Sequence, residues 1–258
     1  MDDGIVALER MAAQHWRGTE EERLGGWLLR AAEGFTGRAN SALPLGDPGL
    51  PLDDALAAVT RWYRARGLPP MVAVPLPLGA DRAGCRLDIQ LSERAWLTRP
   101  GPALFMVAGL DPAGLPASRP LPPGAEFRVD EEPDEAWLSL YHYRGQERQP
   151  PVMRRVLTSA PRQLFASIRS GRGRGDVLAI GRISFAAGWA GITAVEVDAG
   201  RRRAGLGTAL TRAICAQAAQ SGARQVFLQV ETANTAARAL YERCGFRYSH
   251  RYHYRIAP

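Results

Sequence analysis

The chain has 258 residues, 46% of them apolar, which is enough for two domains of ordinary size with real cores. No apolar run approaches the ~20 residues of a membrane helix, and the acidic opening MDDGIVALER lacks the apolar stretch of a signal peptide, so a cytoplasmic protein without a membrane partner is expected. The net charge of +7 rests on arginine alone, since the chain has no lysine, and the arginines are scattered; this suits an enzyme that binds an anionic cofactor, and no nucleic-acid partner is expected.

In chain order, VALERMAAQHW (6–16) predicts a helix, and GWLLRAAEG (26–34) with FTGRANSALPL (35–45) predicts the two strands of a hairpin. Leu52, Ala55, Ala58, Val59 and Trp62 recur at helical spacing within 50–67, and Gly67 stops that helix. MVAVPL (71–76) predicts a short buried strand, LDIQLSERAW (87–96) a helix and ALFMVAGL (103–110) a strand. The stretch 111–126, rich in Pro, Gly, Ala and Ser, predicts a linker. Beyond it, 127–132 is expected as a strand, 133–145 as a helix and 163–170 as a strand, with 177–185 and 191–198 forming an antiparallel hairpin turned at AAGWAG. A helix over 204–222 ended by Gly222, a strand over 225–231, a helix over 234–245 and a last strand or hairpin over 246–256 complete the pattern.

The two halves repeat one order of elements, and LSERAW (91–96) echoes LYERCGF (240–246), so a duplicated module is expected, with parts 1–110, linker 111–126 and 127–258. Cys85, Cys215 and Cys244 are far apart and form no CxxC, which predicts reduced, packed thiols. His15, His142, His250 and His253 have no metal-ligand spacing, so no metal is expected.

The stretch VDAGRRRAGLGTAL (197–210) ends a strand, passes three arginines and two glycines, and opens a helix. The first N–H groups of a helix have no partner within it, and the helix dipole adds positive potential there. Glycine lets backbone approach an anion, so the local physics suits a pyrophosphate; a plain tight turn is the alternative. A P-loop is excluded, because GxxxxGK[ST] is absent. A dinucleotide-binding unit fits poorly: Leu210 stands where a third small residue belongs, a hairpin precedes the loop, and 27 residues remain after Glu231.

Arg202-Arg203-Ala204-Gly205-Leu206-Gly207 matches RxxGxG, and Asn234 with ARALYERCGF (237–246) follows it at the right distance. Over about 125–258 the chain resembles the GNAT superfamily of acyl-CoA-dependent N-acetyltransferases. Ala199 departs from the family's frequent proline. The resemblance implies an α/β (α+β) fold of tandem GNAT-like modules, each a mixed, mostly antiparallel twisted sheet flanked by helices, with a degenerate first module and a catalytic second one. It implies acetyl-CoA as cosubstrate, a small-molecule amine as acceptor, and a monomer or homodimer.

The resemblance also assigns roles. Backbone of 202–208 would wrap the pyrophosphate, with charge from Arg202 and Arg203 and a hydroxyl from Thr208; Ala204, Gly205, Leu206 and Gly207 form the loop. The pantothenate arm would pair with backbone near Val195 and Val197, as an added strand does. Asn234 caps the last helix and reaches the same arm, beside Ala237. Tyr241, seven residues on, returns to the same helix face. A phenol (pKa ~10) is a plausible proton donor to a departing thiolate (thiol pKa ~8.5), and a packed aromatic is the plain alternative. Glu196 is the candidate base, with Glu231 or water as rivals and an exposed strand residue as the plain alternative. His250, Tyr252, His253 and Tyr254 either border the acceptor site or are simply strand aromatics.

The first half lacks the glycine loop and has Ser92 where Tyr241 would stand, so it is expected to build the acceptor pocket or to dimerise. Its stretch 26–49 is similar to the leading half of a bacterial two-domain GNAT group that includes N-acetylglutamate synthases, which makes L-glutamate a candidate acceptor. Arg38, Asn40 and Ser41 are polar residues in an apolar stretch and are expected at the cleft or at a satisfied polar edge. A non-catalytic acyl-CoA sensor of the same fold is the alternative function.

Overall fold

Two sheets organise the chain in the computed structural model, which describes residues 2–80, 85–111, 120–142, 150–171 and 175–258. Helix α1 (Asp3–Ala12) is capped by Asp2, whose carboxylate accepts from the N–H groups of Gly4 and Ile5. Strands β1 (Glu20–Leu24), β2 (Trp27–Ala31) and β3 (Leu43–Pro44) then form a small antiparallel sheet.

The hairpin therefore differs from the expected one. Its first strand is the acidic run EEERL, turned at Gly25, where φ is +53°. The expected strand 35–45 shrinks to two residues, because Asn40 organises the preceding segment as a loop. Its side-chain oxygen accepts from the N–H of Ala32 (2.8 Å) and Gly34 (2.9 Å), while its amide donates to the carbonyls of Phe35 (2.7 Å) and Thr36 (2.8 Å). Such side-chain bonds compete with a strand ladder and win here.

Helix α2 (Leu52–Arg64), β4 (Met71–Pro77), α3 (Arg86–Glu93), β5 (Leu97–Thr98) and β6 (Ala103–Gly109) complete the first half. Half of the expected linker, 112–119, lies outside the described residues, and β7 (Ala125–Asp130) takes its last two positions. Then come α4 (Glu135–Leu140), α5 (Val152–Leu157), β8 (Arg162–Ser170), β9 (Val177–Ala186) and β10 (Trp189–Val197). The end of the expected helix 133–145 also lies outside the described residues. Helix α6 (Leu206–Gln220), β11 (Gln225–Glu231), α7 (Thr235–Arg243) and β12 (Arg247–Ile256) end the chain.

The large sheet runs β4-β12-β6-β11-β10-β9-β8-β7, with β5 on β12. It is mixed and mostly antiparallel; β10 and β11 run parallel. Strand β6 of the first half lies between β11 and β12 of the second, in register with Gln225–Glu231 on one side and Arg247–Tyr252 on the other. The halves thus share one sheet.

Each face of that sheet has its own core. Leu206, Leu210, Ile214 and Ala218 recur every fourth residue, so α6 lays one apolar stripe on Ala179, Ile183, Ile192 and Leu228. On the opposite face α4 and α5 pack Trp137, Val156 and Leu157 against Phe165, Ile180 and Trp16. Asp88 on α3 ties the first half to the last strand: its Oδ1 accepts from His253 Nε2 (2.8 Å) and Arg255 Nε (2.6 Å).

Candidate active site

Strands β10 and β11 pair only from Trp189/Gln225 to Ile192/Leu228. Beyond that point β10 stays on β9 and β11 stays on β6, so the two diverge. The gap is a cleft of about 1010 Å³. Among the described residues, the sides of Thr193–Val197 and Gln229–Glu231 that face it have no strand partner.

A β-bulge sets what β10 presents there. Thr193 pairs with Arg182 and Glu196 with Ile180, so three steps on β10 match two on β9, and Ala194 adopts φ +54°. An extra residue inverts the alternation of faces beyond it. Ile192 packs on the α6 side, and so do Val195 and Val197. Glu196 is instead turned to the opposite face, shared with its partner Ile180 and with Thr193 and Arg182. Glu196 is half-buried, and burial raises its carboxyl above the usual carboxylate range, against the pull of Arg202 and then His142.

The glycine loop closes one end of the cleft. Asp198 accepts from the Gly200 N–H and starts a single 3-10 turn over Ala199–Arg201. Arg203 has φ +62°, and Gly205, with φ +82°, stands as the N-cap of α6. The first ladder bond there runs from the Ala209 N–H to the Gly205 carbonyl, which leaves the preceding N–H groups at the helix mouth. Gly207 serves packing: a Cβ there would lie 2.8 Å from Leu240 Cδ1. Arg202, Arg203, Arg212 and Arg243 also line the cleft.

Helix α7 supplies the facing wall. Asn234 Oδ1 accepts from the Ala237 N–H at 3.1 Å, so the capping role is present. The other end of α7 fixes Tyr241. Gly245 is left-handed (φ +89°), its N–H bonds the Glu242 carbonyl, and the Phe246 N–H bonds the Tyr241 carbonyl at 3.0 Å. The rings of Tyr241 and Phe246 meet edge-on with centroids 5.9 Å apart. This double closure explains why tyrosine, glycine and phenylalanine stand at positions 241, 245 and 246. Burial, then Cys244 and Glu196, hold the Tyr241 phenol well above its ordinary pKa.

Val195, Glu196, Val197, Arg202, Arg203, Gly205, Leu206, Gly207, Thr208, Asn234, Ala237 and Tyr241 all line the one cleft. Ala204 is exposed on the turn and does not line it. Alternation along β12 puts His250, Tyr252 and Tyr254 on one face and His253 on the other; Tyr252 and Tyr254 line the cleft, whereas His250, at the far end of that face, is buried on Glu9 (2.9 Å) and His253 on Asp88. Arg38 reaches the cleft from the first half, with Thr36 and Gly37. Asn40 and Ser41 do not line it; Ser41 holds Arg30 through its hydroxyl at 3.1 Å. Tyr141, Gln229 and Arg212 line the cleft beyond the residues expected from the sequence. Arg212 was within reach, since it lies two helical turns from Gly205. Among the described residues no group of three or more His, Cys, Asp or Glu side chains could hold a metal ion, and no helix is long and apolar enough to cross a membrane.

A family model described as the C-terminal part of the probable histone acetyltransferase Rv0428c matches residues 3–255. The chain belongs to this family. As a member it is an acyl-CoA-dependent N-acetyltransferase of GNAT fold. The probable histone acetyltransferase Rv0428c of Mycobacterium tuberculosis is 30% identical over 261 residues, covering 98% of this chain and 74% of that protein. The uncharacterized N-acetyltransferase YobR of Bacillus subtilis is 27% identical over 271 residues, covering 99% of both. Among solved structures, a GCN5-related N-acetyltransferase from Kribbella flavida superposes with a TM-score of 0.69 at 17% identity, covering 98% of this chain and 95% of its own. A tandem GNAT protein from the clavulanic acid biosynthesis pathway superposes with a TM-score of 0.66 at 17% identity, covering 84% and 74%. Both share the fold of this member.

Proposed function

We propose that the protein moves the acetyl group of acetyl-CoA directly to the primary amine of a small molecule, with both substrates bound at once. One observation carries this: the mouth of α6, the gap between β10 and β11, Glu196 and Tyr241 all open into the same cleft. The N–H groups at Gly205–Thr208, with Arg202 and Arg203, suit the pyrophosphate. The unpaired edge of Val195–Val197 suits the pantothenate arm, with Asn234 and Ala237 facing it. The cosubstrate supplies an acetyl thioester.

The chain's own groups manage the protons. Glu196, on the face opposite α6, takes a proton from the ammonium, and burial makes it a stronger base than an exposed carboxylate. Tyr241, kept protonated by burial, gives its proton to the departing sulfur. The buried Cys215 and Cys244 thiols are pushed up, Cys215 to about 12, which makes them poor acyl carriers and favours direct transfer.

L-Glutamate is a candidate acceptor by the similarity of 26–49 noted above; a protein lysine is its rival, on the name of the mycobacterial relative. Calorimetric titration of acetyl-CoA tests the cleft. The parent is expected to bind one molecule per chain at micromolar affinity (~8 kcal/mol) and the folded Gly205→Glu variant none. Absence of binding to the parent overturns the proposal.

A further inference from the structure

Arg182 lies at the centre of β9 with no exposed surface. Its Nε donates to the Leu157 carbonyl and its Nη1 to Thr193 Oγ1 at 3.3 Å, while its Nη2 has no hydrogen-bond partner. Among the described residues no carboxylate pairs with it; of its titratable neighbours a second cation, Arg38, lowers it further and the Tyr141 phenol opposes this. Both guanidinium groups rest on the ring of Trp16, Arg38 at 4.9 Å and Arg182 at 5.4 Å from its centroid. A buried cation beside another cation costs stability, and burial lowers Arg182 to about 9, which leaves it charged at neutral pH. Such an arrangement is at odds with the fold unless an anion completes it.

The anion's place follows from what opens to the cleft. Arg38 and Thr193 line it, and they also line an adjoining hollow of about 20 Å³. Arg38 uses Nη1 on Gln229 Oε1 at 2.7 Å, and its other donors remain. Thr193 accepts from Arg182, so its own O–H is left to donate. Glu196 occupies the same face of β10, so an anion held at Arg38 would set an attached amine on the side of the cleft where the base stands.

Resting on the proposed acetyltransferase cleft, we propose that the acceptor is an amine carrying its own carboxylate, bound by Arg38 and the Thr193 hydroxyl, with Arg182 as the positioning charge behind Thr193. This selects free amino acids and their close analogues over amines whose carboxyl is absent or blocked.

The test measures CoA thiol release with matched acceptors: free amino acids, including L-glutamate, their α-amides, the corresponding decarboxylated amines, and a lysine in a blocked peptide. Acetyl-CoA binding is measured calorimetrically beside it. We expect kcat/KM for at least one free acid to exceed its amide by about 10²-fold. Arg38→Gln should bring that ratio close to one with the KM for acetyl-CoA unchanged. Arg182→Met, similar in length and uncharged, should raise the KM for the acid more than it lowers kcat; melting curves establish that both variants are folded. Preference for amides, decarboxylated amines or the peptide lysine overturns the inference and leaves the acetyltransferase standing. So does binding of acetyl-CoA with no turnover of any acid, or an equal loss on acid and amide in Arg38→Gln. Failure of the parent to bind acetyl-CoA overturns both.

Discussion

The Glu196 carboxylate acts on Tyr241 within the cleft: after burial and Cys244, it is the charge that pushes the Tyr241 phenol up. A base that is hard to ionise stands near an acid that is hard to ionise. Before reaction this keeps the tyrosine protonated, and its proton is available when a thiolate forms.

The pH profile of kcat/KM should carry this signature. Glu196 works when deprotonated, so the rate is expected to rise with pH through a pKa above the usual carboxylate range. Glu196→Gln should lose about 10²-fold and flatten that limb. Tyr241→Phe should cost a comparable factor in kcat, and in the parent no alkaline fall should come from Tyr241 below the ordinary phenol range. A limb unchanged in Glu196→Gln assigns the base elsewhere.

Gly245→Ala puts a side chain at φ +89°, where open space surrounds it but the backbone is strained. About 1 kcal/mol of stability should be lost in urea unfolding. Because the left-handed turn anchors Tyr241 through Phe246, kcat should fall several-fold while calorimetric affinity for acetyl-CoA holds. Unchanged kcat would show that the turn does not position the phenol.

His15 is buried against Ser184 (2.9 Å), and burial, with Arg182, lowers it to about 4. The unfolded chain binds the proton near pH 6.5, whereas the folded chain resists it until about pH 4. Stability from this group is therefore full above pH 6.5 and is lost as pH falls toward 4, by on the order of 3 kcal/mol. Denaturant titrations of the parent and His15→Gln between pH 7 and 4 should diverge in slope over that window, the parent losing more.

Asp88→Asn leaves Arg255 and His253 facing a neutral amide in a buried place. A loss of about 3 kcal/mol is expected, read as a lower urea midpoint. Asp88 is ionised in the fold and held below the usual carboxylate range: burial opposes this, and the bonds from Arg255 and then His253 outweigh it.

The elements that carry the glycine loop were legible because their signals are local. Gly222 and Gly245 end α6 and α7, and the apolar periods of both helices lie within them. The other side of the cleft was legible only in part: Arg38, Tyr252 and Tyr254 stand out as candidates, but not the way they reach it. Strand β1 hides in EEERL, a polar edge strand with no apolar alternation. Thr36–Arg38 reach the cleft because Asn40, one residue in a stretch that looks extended, binds five backbone groups around it. The phase of Glu196 depends on one bulged residue, Ala194, which the composition of β10 does not announce. Arg182 looks like any arginine in a strand until its neighbours are known.

The placement of β6 bears on how the protein is made. During synthesis β6 leaves the ribosome well over a hundred residues before either of its neighbours, β11 and β12, exists. Strand β4 likewise waits for β12, the last strand of this sheet in chain order among the described residues. The floor of the cleft therefore closes from the tail, and until then the nascent chain carries an apolar strand with two open edges. Emergence of β12, rather than completion of a first half, is the moment at which this sheet is zipped shut.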